Sequence, residues 1–167
     1  MSVSELSTST QNYLKAIWGL KEWSSEPVTA TLIAKQLGLK LSSVSDAVRK
    51  MAKQGLVSHT PYGSVELTEL GRQYALVMVR RHRLLESFLV QALGYTWDEV
   101  HNEAENLEHA VSDMLIERVD KFLDYPTRDP HGDPIPTVDG QITIPSAHRL
   151  TDSGACLLYT SPSPRDS

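Results

Sequence analysis

The stretch TATLIAKQLGLKLSSVSDAVRKMAKQG, residues 29–55, decides the fold of this chain. Its first part, Thr29–Leu37, places Leu32, Ile33 and Leu37 on one side of a short helix, and Gly38 closes that helix as a left-handed cap. After about four residues a second helix begins, capped by Ser42 or Ser43 and running to about Gln54. Val44, Ala47, Val48 and Met51 line one face of it, and Gly55 ends it. Two helices joined by so short a glycine-containing turn meet at a steep angle, the geometry of a helix-turn-helix. Upstream, Leu6–Trp23 carries Tyr13, Leu14, Ile17, Trp18 and Leu20 at helical spacing, and Ser24-Ser25-Glu26-Pro27 ends that helix. Trp18 falls on its apolar face, whereas Trp23 and Trp97 fall at helix ends. Downstream, Leu56–His59 and Ser64–Leu67 read as short strands around the turn Thr60-Pro61-Tyr62-Gly63. Helix, helix-turn-helix and hairpin in that order make a winged helix-turn-helix, with Tyr62 at the tip of the wing.

A long helix starts at Thr68-Glu69-Leu70-Gly71 and extends to about Leu93. Its apolar positions Leu76, Val79, Leu84, Leu85, Phe88 and Leu89 exceed one stripe, and the surplus points to a second packed surface, a dimer interface. Thr96 caps a helix to about Leu107, a further helical stretch reaches Leu123, and the prolines after Tyr125 turn the chain into loop. The expected fold is mainly α: a winged helix-turn-helix DNA-binding domain over residues 1–75, then an all-helical dimerisation and metal-binding domain over 76–148.

The charge follows the same division. The net charge of −5 resolves into eight Lys/Arg against six Asp/Glu over residues 1–75 and five against ten over residues 76–125. A mildly basic unit thus precedes an acidic one, which suits a nucleic-acid surface beside a cation-binding region. A net +2 predicts modest non-specific DNA affinity with a moderate salt dependence. No apolar run reaches the roughly 18–20 residues of a membrane helix, and Met1–Ser9 lacks an apolar signal core. A single cysteine, Cys156, excludes an intrachain disulfide and a four-cysteine zinc module. A cytoplasmic protein without membrane association is expected.

The acidic unit holds His82 and Glu86 at i, i+4, and His101, Glu105, Glu108 and His109 at i, i+4, i+7, i+8. Helical geometry puts each set on one face. Three imidazoles and three carboxylates without thiolate suit Mn(II), Fe(II), Zn(II) or Co(II). Crowded carboxylates on one helix also destabilise it unless a cation neutralises them. Surface ion pairs and a helical metalloenzyme are the competing readings of these residues. Against an enzyme, no nucleophile–base pair and no glycine-rich substrate cradle is evident, and the Glu-x-x-His spacing of di-iron bundles is absent.

Gln11–Ile17, the helix-turn-helix, Arg81–Glu86, His101–His109 and Asp129–Pro136 together resemble the diphtheria toxin repressor family of metal-dependent transcriptional regulators. The resemblance spans about residues 8–148 and lies nearest the manganese transport regulator branch of actinobacterial type. It implies a homodimer that binds double-stranded operator DNA when metal is present and controls metal uptake genes. It also implies two metal sites per subunit, one from His82, Glu86 and His101, the other from Asn12, Glu105, Glu108 and His109. Iron-type members place sulfur at the Glu105 and Asn12 positions; oxygen at both favours Mn(II). Asn12 departs from the aspartate usual in manganese-type members and removes one negative charge. Lys15 stands where some members carry a further acidic ligand, so a close metal pair at that position is not expected. An iron-responsive regulator, or a winged-helix protein with purely structural metal, are the alternatives.

For DNA contact the N-terminal part of the second helix of the motif offers Ser42, Ser43, Ser45, Asp46, Arg49 and Lys50. Serine hydroxyls and the helix N-terminus suit phosphates, Asp46 suits a cytosine amino group, and Arg49 and Lys50 suit phosphate or guanine. Ser42 as a mere cap, with Arg49 and Lys50 merely solvated, is the plainer reading of the same residues.

Residues 149–167 are expected to begin a missing C-terminal SH3-like domain. From Cys156 onward the chain back-translates to a string resembling a transposon-end sequencing adaptor, so residues 156–167 are expected to be non-native sequence on a truncated frame.

Overall fold

A computed structural model describes residues 2–60 and 63–142 of the chain. Tyr62, expected at the tip of the wing, and residues 149–167 with Cys156 lie outside the described residues. Six helices and one hairpin follow in the expected order. They are α1 (Thr8–Glu22), α2 (Ala30–Leu37), α3 (Leu41–Lys53), β1 (Val57–His59), β2 (Val65–Leu67), α4 (Glu69–Leu93), α5 (Trp97–Leu107) and α6 (Asp113–Phe122). A short 3-10 turn, Val3–Glu5, precedes them, opened by a capping box in which the Ser2 amide donates to the Glu5 carboxylate at 2.7 Å.

Local chemistry sets the boundaries. The Thr29 hydroxyl accepts from the Leu32 amide at the start of α2, and Gly38 ends α2 in the left-handed region at φ 67°. The start of α3 corrects the expected cap. Lys40 occupies the N-cap with no side-chain hydrogen bond, so Ser42 and Ser43 lie inside the first turn of the helix. Their hydroxyls are thereby released from capping and exposed at the end of the helix.

The wing is an antiparallel pair in the register Val57↔Leu67, Ser58↔Glu66 and His59↔Val65. A third segment joins it: Thr29 forms an antiparallel bridge with Ser64, and the Val65 amide donates to the Val28 carbonyl at 2.7 Å. The wing is therefore stitched to the chain that leads into α2. At the other end of the hairpin, Gly71 lets α4 press against the backbone of Leu56. A Cβ at this position would sit 1.9 Å from the Leu56 carbonyl oxygen.

Helix α4 threads two cores. Leu76 and Val79 belong to a cluster with Leu14, Ile17, Ile33, Val44, Val48, Met51 and Val65. Leu84, Leu85 and Leu89 belong to a second cluster with Val100, Ala104, Ile116, Val119 and Ile135. This corrects the reading of the α4 surplus as a free interface. Most of those side chains are consumed within the chain, one end of the helix in each core. Phe88 is half-buried, with its ring edge-to-face against Phe122 at 5.7 Å. Trp18 is buried, whereas Trp23 and Trp97 are exposed.

Polar ties from α4 fasten the two cores together. Arg83 donates to both Glu22 oxygens, at 2.7 and 3.1 Å, and to the Pro134 carbonyl, and it lies over the Trp18 ring. Arg80 donates to Asp120 and to the Pro136 carbonyl. Arg81, only 1% exposed, donates to the Glu108 carbonyl, Asp113 and Ser4. These arginines hold α1, α6 and the loop after α6 against α4. Among the described residues, no helix is long and apolar enough to cross a membrane.

Candidate metal centre and nucleic-acid interface

His82 and Glu86 stand one turn apart on α4, and α5 packs across them. Their ring and carboxylate meet at 2.8 Å (His82 Nε2 to Glu86 Oε1), and His101 Nδ1 of α5 reaches the same oxygen at 3.2 Å. One ligand atom from each of the three residues lies within 4.8 Å of the others. The structure thus brings together the first expected set. Two imidazoles and a carboxylate form a nitrogen–oxygen donor set that fits a divalent first-row cation, and ligand atoms about 3 Å apart fit one coordination sphere.

The second expected set is placed differently. Helix α5 ends at Leu107 with Glu108 as its C-cap, and Asn12, Glu105 and His109 line one small pocket. Glu108 turns inward and is fully buried, while Glu105 stays exposed. Glu108 Oε2 meets His82 Nδ1 at 2.5 Å, and its Oε1 accepts from Lys15 of α1 at 2.5 Å. Lys15 also lies 3.5 Å from Glu105, and Glu105 lies 3.2 Å from His101 Nε2. His109 Nε2 stands 3.6 Å from Glu108 Oε1, while its Nδ1 pairs with Gln11 Oε1 at 2.6 Å. Asn12 lines the same cleft, half-buried, beside Lys15 and Glu105. The donor types suit a cation, and a cation already stands there: the Lys15 ammonium.

Sequence reasoning misses the part that four residues play at this centre. Lys15 enters it only as excluding a metal pair. Gln11 enters it without a role; its amide donates to the Val3 and Leu6 carbonyls, which aims its oxygen at His109. Asp129 and His131 come from the loop after α6, inside a motif that carries only the resemblance. His131 Nδ1 lies 3.3 Å from Glu86 Oε2 and 3.9 Å from Asp129 Oδ2. Its ring meets Trp97 edge-on at 4.6 Å. No periodicity could reveal them, since loop residues follow none.

The electrostatics follow from burial and pairing. Burial by itself lowers the pKa of His82, but hydrogen bonds to Glu108 and Glu86 overturn that and raise it to about 9. Burial favours the neutral form of Glu86, yet its contacts with His82 and His101 hold it down at about 2. Burial lowers the pKa of His109 and raises that of Asp129. The centre is a chain of carboxylates and imidazoles running from α5 through α4 to the loop, met from α1 by Lys15 and Gln11.

The six residues expected at DNA lie on α3. Ser42, Ser43, Asp46, Arg49 and Lys50 are exposed and Ser45 is half-buried, while Val44, Val48 and Met51 face the core. Arg49 is ion-paired with Asp46 one turn earlier. An exposed polar face on a helix anchored by its apolar face is free to enter a groove, N-terminus first.

Comparison with known proteins gives consistent matches. The family model described as iron dependent repressor, N-terminal DNA binding domain, matches residues 5–65. The model for iron dependent repressor, metal binding and dimerisation domain, matches residues 68–137. The chain is 40% identical over 134 residues to the iron-dependent repressor IdeR of Mycobacterium tuberculosis, covering 80% of this chain and 58% of that one. It is 34% identical over 119 residues to an uncharacterised HTH-type transcriptional regulator of Methanocaldococcus jannaschii, covering 71% of this chain and 95% of the relative. A solved manganese-dependent transcriptional repressor in complex with manganese superposes with a TM-score of 0.80 at 57% identity, over 84% of this chain and 64% of the other. The chain therefore spans less than two thirds of both the IdeR repressor and this manganese-dependent one.

Proposed function

The chain belongs to the iron-dependent repressor family, and from that membership we propose that it is a manganese-responsive transcriptional repressor, not an enzyme, that binds operator DNA as a homodimer. The observation that carries the reading is the seam between α1 and α5. Side chains of the DNA-binding unit, Gln11 and Lys15, touch His109, Glu108 and Glu105 of the helical unit, and Lys15 and Glu105 also line a cleft of about 980 Å³. Asn12 lies on the same helix beside that cleft.

His82, Glu86 and His101 hold one divalent ion; Asn12, Glu105, Glu108 and His109 hold the other. A bound cation supplies the positive charge that keeps carboxylates of the helical unit engaged with α1. Glu108 and His109 then fix the angle of α1, and with it the α3 face carrying Ser42, Ser43, Ser45, Asp46, Arg49 and Lys50. The effect is a population shift: only the arrangement in which both units contribute ligands gains from the ion. In a two-fold dimer the paired α3 helices stand about 34 Å apart, one turn of DNA. Phe122, Met114, Leu115 and Leu93, exposed on α6 and at the end of α4, supply apolar surface for the partner copy. Residues 1–75 form the DNA-binding domain and 76–148 the dimerisation and metal-binding domain.

Manganese is preferred to iron because the proposed ligands are oxygen and nitrogen only. The 57% identity to a manganese-dependent repressor supports this, and the 40% identity to an iron-dependent one keeps iron as the second reading. An operator gel shift with Mn(II), Fe(II), Co(II), Zn(II) or chelator tests the proposal. A shift at the lowest concentration with Mn(II), and none with chelator, is the expected result. Equal binding with and without metal overturns metal dependence, and a stronger response to Fe(II) assigns iron.

A further inference from the structure

The amide of Gln11 and the ring of His109 fit together in one hydrogen-bonding sense only. Gln11 lies near the start of α1 and is 2% exposed. Its Nε2 donates to the Val3 carbonyl at 2.7 Å and to the Leu6 carbonyl at 3.2 Å, and its Oε1 stands 2.6 Å from His109 Nδ1. We propose that Gln11 is a positioning residue for the cation site at Asn12, Glu105, Glu108 and His109: it holds the His109 hydrogen on Nδ1 and leaves Nε2 as the ligand nitrogen.

The sense follows from counting donors and acceptors. A primary amide has two N–H donors and one oxygen that only accepts. Two backbone carbonyls take both donors of Gln11. Turning the amide over would bury its oxygen against the Val3 and Leu6 oxygens, three acceptors with no hydrogen among them. Oε1 therefore faces the imidazole, and Nδ1 must be the donor. A neutral imidazole has one N–H, so Nε2 keeps its lone pair. That nitrogen lies 3.6 Å from Glu108 Oε1, and His109 shares its small pocket with Asn12 and Glu105.

The frame that orients the amide is itself anchored. Val3 and Leu6 are buried in the first core, and the Leu6 amide donates to the Val3 carbonyl at 3.1 Å to close the turn between them. Arg81 reaches the Ser4 hydroxyl of the same turn at 3.3 Å. Two fixed carbonyls thus set the plane of the amide, and the amide sets the ring. An imidazole held in this way by its far nitrogen is preset in tautomer and orientation, so neither a proton shift nor a ring rotation has to precede binding. Gln11 acts through His109, whereas its neighbour Asn12 is the α1 residue offered to the ion.

The inference rests on the reading of His109 as a ligand, and the test separates the two. The tautomer is read on the metal-free full chain by long-range proton–nitrogen NMR of labelled histidine, at about pH 8, above the ordinary imidazole range, with H109Q identifying the signal. Mn(II) alone is then titrated by calorimetry into wild type, Q11M, Q11E and H109A. Q11M keeps the length of the side chain and removes all its hydrogen bonds; Q11E keeps an acceptor for Nδ1 and loses both donors. The expected result is a hydrogen on Nδ1 in wild type and Q11E, and on Nε2 in Q11M. Mn(II) binding at this site should be about 10–100-fold weaker in Q11M and closer to wild type in Q11E. Because both variants lose the ties to Val3 and Leu6, rescue by Q11E separates positioning from packing. A hydrogen on Nε2 in the wild-type chain overturns the proposal even where Q11M fails to fold, and so do a wild-type tautomer and affinity in a folded Q11M. If H109A weakens binding and Q11M does not, the site stands and the role of Gln11 falls. If H109A binds Mn(II) as wild type does, His109 is no ligand, and the reading of that site falls together with the positioning role.

Discussion

At the scale of single residues, Lys15 and His82 hold the positions that decide how a cation is received. The Lys15 ammonium, 2.5 Å from Glu108, stands where the proposed second ion would bind. Replacing it with Met removes the competitor while keeping the apolar stem, so K15M is expected to bind Mn(II) several-fold more tightly at the Glu108 site by calorimetry. Unchanged or weaker binding would show that Lys15 supports the site. His82 sets the pH dependence. Its pKa stands at about 9 against an ordinary 6.5, so the protonated imidazole stabilises the fold fully below pH 6.5 and loses that contribution as pH rises through 9. Glu86 works in the other sense: at about 2 against 4.5, its contribution is present above pH 4.5 and lost as pH falls toward 2. The pair is therefore most stabilising between about pH 4.5 and 6.5, and melting temperature against pH for wild type and H82N should differ most there. At the proposed metal site a cation would take the place of the His82 proton. Mn(II) binding should release a proton and strengthen with pH up to about 9, which calorimetry in buffers of different ionisation enthalpy reads directly.

At the scale of elements, α3 and the start of α4 carry the consequences. Because Lys40 rather than a serine caps α3, S42A should leave folding intact and cost only DNA affinity. R49A and K50A should each reduce the slope of log K against log salt by about 1 where the residue contacts phosphate, whereas a base contact changes discrimination between operators. Helix α4 is more demanding. G71A forces a methyl group into the Leu56 carbonyl, so the wing and the helix must separate, at a cost of about 1–3 kcal/mol in urea unfolding. The helices themselves are legible because apolar residues at 3.6 spacing and caps such as Thr29 and Thr68 are local signals. The failures are local signals overridden by packing. Ser42 looks like a cap by type, and α4 looks as though it has a spare face because one helix passes through two cores.

At the scale of the whole molecule, the arginines of α4 join the two units. R83M leaves the buried Glu22 carboxylate without its partner and frees the loop at Pro134, and it should destabilise the chain by about 3–5 kcal/mol in denaturant unfolding. By itself the sequence determined the order of elements, the winged helix-turn-helix, the family resemblance and the His82–Glu86–His101 set. Those depend on neighbours within about one helical turn, or on motifs in a fixed order along the chain. Tertiary structure decided that Glu108 is buried against His82, that Lys15 answers it from 93 residues away, and that Asp129 and His131 close on Glu86. Those contacts join segments far apart in the chain. Their geometry comes from packing α1, α5 and a proline-rich loop onto one helix, which no local periodicity encodes.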